Sequence, residues 1–352
     1  MSRFFSDKYA TLKAYVPGEQ PRDQKYIKLN TNENPYPPHP AVAKAAEEAA
    51  KTLRLYPDTE STSLRNALAG RLGVTADELI ITNGSDEVLN FAFMAFCDRH
   101  TPAVFADITY GFYPVFAQVD QVPYREIPLQ DDLTIRIEDY FQAAGTIFIA
   151  NPNAPTAIAL KRAEIEQILQ QNPYNVVVVD EAYVDFGAES CVPLIREYDN
   201  LLVTQTFSKS RSMAGARLGI GIANPELIRD LKTIQFSTNP YNIDSVTMAA
   251  GTACVENDEY NTDNCRRIIE TREWTRKQLE DLGFEVTPSK TNFLFARHPA
   301  ISGEDLYLKL KEQGILIRHF SVERIKDYNR ITIGTREDME TVTEKISKIL
   351  KA

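Results

Sequence analysis

An α/β fold, with a large domain built on a mostly parallel central sheet flanked by helices and a smaller α+β domain after it, follows from three features of the sequence. From about residue 62, short apolar runs alternate with helical stretches, the pattern of strands wound through crossover helices. After Asn239-Pro240-Tyr241 this gives way to a long charge-rich helical region, 245–282, followed by shorter strand-like segments. The 352 residues also exceed the usual extent of one hydrophobic core. Together these features predict an arm at 1–35 packing with the small domain, a large domain at 36–240 and the small domain at 241–352.

Composition sets outer limits. With 43% hydrophobic and 25% charged residues, the chain can bury a core and carries no long disordered tract. A formal net charge of -10 argues against nucleic acid or an anionic membrane as partner, so any anion site must be a local group of arginines. Cys97, Cys191, Cys254 and Cys265 form no CxxC pair, and His39, His100, His298 and His319 lack ligand spacing. No metal site is expected, and the thiols suit a reducing cytoplasm. The first ten residues contain no apolar signal region, and no stretch approaches the ~18 apolar residues of a membrane span. The expected location is cytoplasmic.

Taken in order, residues 1–35 are interrupted by prolines wherever a helix could start. Tyr15, and Asn30 and Asn32 in Leu29-Asn-Thr-Asn-Glu-Asn-Pro35, place hydrogen-bonding side chains at loop positions, where a binding role and a plain surface turn both fit. Residues 41–53 form an alanine-rich helix, and the X-Pro segment after it exposes Tyr56. A helix at 63–72 and a strand at 79–82 lead into Asn83-Gly-Ser-Asp-Glu87 and a helix at 88–97 capped by Ser85 or Asp86. A glycine turn at a helix N-terminus offers N–H groups to an anion, although an ordinary cap would read the same way.

The strand at 103–107 is followed by Tyr110, placed to stack on a flat ligand or to pack in the core. The strand at 146–150 ends at Asn151-Pro-Asn-Ala-Pro-Thr156, and the strand at 176–179 ends at Asp180-Glu-Ala-Tyr183. A carboxylate at the end of an apolar strand needs a cation or donor to meet it. Strands at 201–206 and 218–223 come next; Gly219-Ile-Gly221 lacks the third glycine of a dinucleotide fingerprint, which removes an NAD site. In the small domain, strand-like segments fall at 284–286, 292–296, 315–317 and 331–333. Arg318 and Arg330 lie at the ends of two of them, as a potential clamp for a carboxylate or phosphate.

The chemistry is expected between the strands at 201–206 and 218–223. Lys209 sits there in a turn of small residues, Ser208, Ser210, Ser212, Ala214, Gly215 and Ala216, that lets a bulky ligand approach the backbone. A lysine amine attacks an aldehyde only when unprotonated, a state favoured by neighbouring cations, and Arg211 and Arg217 are close in sequence. Ser208 with Arg217 could grip a phosphate.

These stretches carry a resemblance. Asn83-Gly-Ser-Asp-Glu87, Asp180-Glu-Ala-Tyr183, Ser208-Lys209 with Arg217, and Arg330-Ile-Thr-Ile-Gly-Thr335 resemble the motifs of fold-type I aminotransferases that use pyridoxal 5′-phosphate (PLP). From Tyr15 to Thr335 the chain is similar to the histidinol-phosphate aminotransferases among them. The resemblance implies that Lys209 binds PLP covalently, that Asp180 keeps the pyridine nitrogen protonated, that Tyr183 bonds the ring oxygen and that Tyr110 stacks on the ring. It implies a phosphate site at Ser85, Asp86, Ser208 and Arg217, completed by Tyr56 of the second subunit of a homodimer. Tyr15, Asn30, Asn32, Arg318 and Arg330 would receive the substrate. One position departs from the pattern: Ala154-Pro155-Thr156-Ala157 stands where relatives carry Asn-Pro-Thr-Gly, leaving Asn153 as the substitute.

The implied reaction is reversible transfer of the amine of L-histidinol phosphate to 2-oxoglutarate, giving imidazole acetol phosphate and glutamate. An aromatic amino-acid aminotransferase and a threonine-phosphate decarboxylase would retain the same cofactor residues. A PLP-binding regulatory module would need an added basic helix-turn-helix domain, for which the arm has no room.

Overall fold

The structure, a computed structural model, describes residues 2–12, 14, 18–21 and 23–351. A short strand β1 (Ile27–Lys28) precedes helices α1 (Pro40–Ala50) and α2 (Thr62–Leu72). Helix α1 starts with Pro40 at its first position, where the missing N–H costs nothing, and the His39 ring accepts from Ala41 N–H.

The large sheet is then laid down by β2 (Leu79–Thr82), α3 (Ser85–Phe96), β3 (Ala103–Ala106), α4 (Tyr113–Asp120) and β4 (Tyr124–Ile127). It is completed by β5 (Thr146–Ala150), α5 (Arg162–Gln171), β6 (Val177–Asp180), β7 (Leu201–Thr206), β8 (Gly219–Ala223) and α6 (Pro225–Thr238). The strand order is β2-β8-β7-β6-β5-β3-β4, and β8 alone runs against its neighbours. Strands buried on both faces explain why these segments read as unbroken apolar runs. Along β6, Val177 and Val179 face one hydrophobic layer and Val178 the other, following the two-residue period. Strand β4 escaped the sequence reading because it lies at the sheet edge, where Tyr124, Arg125 and Glu126 are exposed and no apolar run is needed.

The helical region expected as one piece at 245–282 is two helices, α7 (Ser245–Glu256) and α8 (Asp258–Asp281). The break falls at Asn257, whose side-chain amide donates back to the Ala253 carbonyl at 2.8 Å and closes the first helix. Although it lies past residue 240, α7 packs into the layer beneath the large sheet. Its Met248 and Cys254 join the cluster of Leu64 and Leu218, and a Cβ on Gly251 would come within 2.5 Å of Leu218.

The remaining elements are β9 (Glu285–Val286), β10 (Phe293–Arg297), α9 (Gly303–Glu312), β11 (Ile315–Leu316), β12 (Arg318–His319), β13 (Tyr328–Thr332) and α10 (Arg336–Lys351). An antiparallel sheet in the order β12-β13-β10-β9 packs on α8, α9 and α10 through Leu294, Ile331, Leu306 and Met339. The arm pairs with this part of the molecule. Strand β1 lies parallel to β11, with Ile27 opposite Ile315, and Leu29 is buried in the core beside the small sheet. That pairing fixes where residues 30–34 emerge, beside the turn that carries Lys209. Among the described residues no helix is long and apolar enough to cross a membrane.

Candidate active site

At the carboxyl ends of β5, β6 and β7, a cavity of about 260 Å³ is lined by the last residue of each strand, Ala150, Asp180 and Thr206. This is where open α/β sheets place their ligands, because the loops there diverge. Lys209 projects onto its wall. Its Nζ donates to the Thr31 carbonyl at 3.2 Å and stands 5.9 Å from the centre of the Tyr183 ring. The turn itself is held from the arm: Asn34 Nδ2 donates to the carbonyls of Lys209 at 3.0 Å and of Ser210 at 3.2 Å. Nothing in the local sequence around the lysine points to Asn34, which is brought there by the pairing of β1 with β11.

Of the two arginines near Lys209 in sequence, only Arg217 faces the cavity. It adopts the left-handed conformation, φ 52°, and sets its Nη2 3.1 Å from an Asp86 oxygen and its Nη1 3.5 Å from Ser208 Oγ. Arg211 turns away and is buried against Phe207, its charge met by Asp185 at 3.4 Å and Asp258 at 3.6 Å. The expectation that Arg211 would press positive charge on Lys209 is therefore corrected, since its guanidinium is engaged elsewhere.

The wall near Arg217 is the N-terminus of α3. Neither Ser85 nor Asp86 caps it as expected: the helix begins at Ser85 itself, Gly84 is the capping residue with φ 79°, and among the described residues no side chain caps the first turn. The result is a cluster of uncapped N–H groups beside Ser208 and Arg217, a suitable seat for an anion. Strand β8 approaches so closely that a Cβ on Gly219 would lie 2.2 Å from the Ser85 nitrogen. Glycine at 219 is what allows β8 and the helix terminus to meet.

Asp180 lies opposite and is buried. Burial, reinforced by the nearby Asp86 charge, pushes its carboxyl up to about 7, against the pull of the Ala182 N–H at 3.2 Å and the Tyr113 hydroxyl at 3.4 Å. Tyr113 was not singled out from sequence, because its place in an aromatic stretch reads as core. No lysine or arginine among the described residues pairs with Asp180, so the carboxylate expected to need a partner has neutral donors only. The adjacent Glu181, also buried, is raised to about 7 mainly by burial; it accepts from Ser190, Gln205 and the Cys191 N–H.

Tyr110 lies on the wall and donates to Asp86 at 2.6 Å, while the Tyr183 hydroxyl accepts from Asn32 Nδ2 at 2.8 Å. Asn153 does not reach the cavity. Its Nδ2 donates to the Ile108 carbonyl and Thr156 Oγ1, both at 2.9 Å, and its Oδ1 accepts from Thr109 at 2.7 Å. The substitute role expected for Asn153 is corrected on this ground, because its amide is fully used bracing two loops. The wall at that point is the Ala154 methyl group.

A second cavity, about 410 Å³, adjoins the first, and both are lined by Lys209, Thr31, Tyr110, Ala154 and Tyr183. Arg318 and Arg330 face each other across β12 and β13 and both line it, with Phe320 beside them. Arg330 Nη2 donates to the Asn30 carbonyl at 2.9 Å. Asn30 and Asn32 border the cavity too, but their amides turn inward: Asn30 Nδ2 donates to the Glu19 carbonyl, and Asn32 is engaged at both ends. Direct substrate contact through those two amides is not what this geometry offers. Tyr15 lies outside the described residues. Tyr56 is 82% exposed and stacks on Tyr241 at 4.5 Å, on neither cavity of its own chain.

Residues 24–346 match the family of class I and II aminotransferases. The chain is 48% identical to a histidinol-phosphate aminotransferase of Brachyspira hyodysenteriae over 100% of both chains. It is 50% identical to one of a Marinomonas species, over 99% of this chain and 100% of the other. The crystal structure of histidinol-phosphate aminotransferase from Sinorhizobium meliloti in complex with pyridoxal-5′-phosphate superposes with a TM-score of 0.90. It covers 100% of this chain and 98% of its own at 23% identity, a likeness of fold. The chain belongs to the class I and II aminotransferases.

Proposed function

We propose that this aminotransferase moves the amine of L-histidinol phosphate to 2-oxoglutarate with the help of PLP, yielding imidazole acetol phosphate and glutamate, a step of histidine biosynthesis. The carrying observation is that Lys209 stands on the wall shared by two cavities, one with an acid and an anion seat, the other with two arginines. Identity near one half with histidinol-phosphate aminotransferases over the full chain supports this substrate.

The residues of the first cavity fit PLP. A buried carboxyl without a cationic partner suits a protonated pyridine nitrogen, and uncapped helix N–H groups beside an arginine suit a phosphate. When bound, the cofactor supplies an aldehyde for the amine and a ring that takes up the electron pair released at the substrate carbon. Asp180 would hold the proton on the ring nitrogen. The Tyr183 hydroxyl would donate to the ring oxygen, and Tyr110 would lie against the ring. Ser85, Asp86, Ser208 and Arg217 would seat the phosphate, Asp86 through its backbone N–H and through its grip on Arg217. Lys209 Nζ, once released from the cofactor, would take the proton from the substrate carbon as general base and return it on the far side of the amine nitrogen as general acid, a 1,3-proton shift. The arginines of the second cavity would bind the substrate phosphate in one half-reaction and a carboxylate of 2-oxoglutarate in the other.

A cytoplasmic homodimer is part of the same reading. Exposed Leu53, Leu55 and Tyr56 form an apolar projection that a second copy would cover, bringing Tyr56 to the partner's phosphate seat. Turnover with histidinol phosphate, phenylalanine and threonine phosphate tests the proposal. Histidinol phosphate should be used fastest; preference for phenylalanine, or release of carbon dioxide from threonine phosphate, would overturn it.

A further inference from the structure

We infer that Asn32 is a positioning residue that aims the Tyr183 proton into the first cavity, so that the hydroxyl serves the ring oxygen of the cofactor. The inference rests on the proposed placement of PLP beside Tyr183. A phenol has one proton and two lone pairs, and an amide nitrogen only donates. Asn32 Nδ2 donates to Tyr183 Oη at 2.8 Å, so the Tyr183 proton cannot be spent on Asn32 and is left for the cavity. A hydroxyl that accepts a hydrogen bond is also a stronger donor.

The direction of the amide is set by Thr332 on β13. Thr332 Oγ1 accepts from the Asn32 backbone N–H at 3.1 Å and gives its own proton to Asn32 Oδ1 at 2.9 Å. The reverse amide orientation would leave the Thr332 proton without that acceptor and draw the Tyr183 proton away from the cavity. Asn32 is only 1% exposed, its carbonyl accepts from Asn292 at 2.9 Å, and its φ of 60° is one that asparagine tolerates better than most residues. Ala154 and Ala182 line the same cavity, and their methyl groups donate nothing. Of the other hydroxyls on the wall, Tyr110 is committed to Asp86, Thr31 to Glu33 and Thr206 to Ser208, while Ser85 and Ser208 stand at the anion seat assigned above to the phosphate. The ring oxygen therefore depends on Tyr183, and the orientation of Tyr183 depends on Asn32.

The test is a spectrophotometric pH titration of the PLP-loaded protein. A hydrogen bond to the negatively charged ring oxygen favours loss of the proton next to it, so weakening that bond should raise the pH midpoint of the visible band. Asn32→Gly, which suits the positive φ, should raise the midpoint by about one unit. Tyr183→Phe should raise it at least as much, and the double variant no further, because the first residue acts through the second. Thr332→Val, which frees the amide without removing it, should shift the midpoint in the same direction by less, and it carries the test if Asn32→Gly does not fold. An unchanged midpoint in these variants, or an equal shift from Asn32→Gly in the Tyr183→Phe background, overturns the inference. A wild-type protein with no pH-dependent visible band on adding PLP would overturn instead the placement of the cofactor.

Discussion

The cavity under Lys209 takes most of its polar groups from the ends of large-sheet strands and the turns that follow them, with Thr31 and Glu33 added from the arm, whereas the neighbouring cavity gathers Asn30, Asp107, Arg318 and Arg330 from three distant stretches of chain. The first is set largely by the sheet: once β6 and β7 pair in register, Asp180 lies opposite Thr204 and Lys209 follows three residues past the end of β7. The second exists only after β1 has paired with β11 and β12 with β13. Their tolerance to change should differ accordingly. Losses in the first cavity should fall on the chemical step, and losses in the second on binding.

The largest effect is expected from Lys209→Ala, which removes the group proposed to carry the proton. Turnover should fall by about 10⁴-fold or more while circular dichroism stays that of a folded protein. Asp180→Asn should follow, with kcat lower by about 10²–10³-fold, since a fixed charge aimed at the ring is lost while the phosphate seat persists.

Asp180 also makes a prediction for the cofactor-free protein. Its folded-state carboxyl, like that of Glu181, is raised to about 7 from an ordinary value near 4. The folded chain thus binds protons that the unfolded chain has released. Stability from these groups is fully present below about pH 4 and is lost as pH rises through 7. Thermal melts of the cofactor-free protein should show this decline between pH 4 and 7, and Asp180→Asn should make it shallower.

How far each cavity could be read from sequence follows the same division. Asp180 and Lys209 were legible because an apolar strand must end somewhere, and a charged residue at that end is conspicuous against it. Long-range placement was not legible. Asn34 holds the lysine turn from the arm, and Asn153 spends its amide on two loops rather than on the cavity. Arg211 and Arg217 look equivalent at six residues apart, yet one pairs with acids on the far side and the other reaches Ser208 and Asp86. The break at Asn257 and the edge strand β4 were missed because capping asparagines and exposed edge residues leave no mark on the apolar pattern.

For the second cavity the expected effects are smaller and sort by substrate. Arg330→Ala should raise KM for histidinol phosphate and for 2-oxoglutarate alike by about 10- to 150-fold, equivalent to about 1.5–3 kcal/mol of a charge-assisted contact. Arg318→Ala should resemble it, with the greater loss for the phosphate substrate, which carries more charge. If Arg318→Ala impairs phenylalanine as much as histidinol phosphate, this cavity is not a phosphate site, and the contrast between the two cavities loses its second half.

The central claim, that the first cavity holds the cofactor on Lys209, is tested most directly by reducing the PLP-loaded protein with borohydride, digesting it and weighing the peptides. The mass of a phosphopyridoxyl group should appear on the peptide containing Lys209 and on no other. A label on a different lysine, or a fully reduced protein with no label at all, would contradict the account.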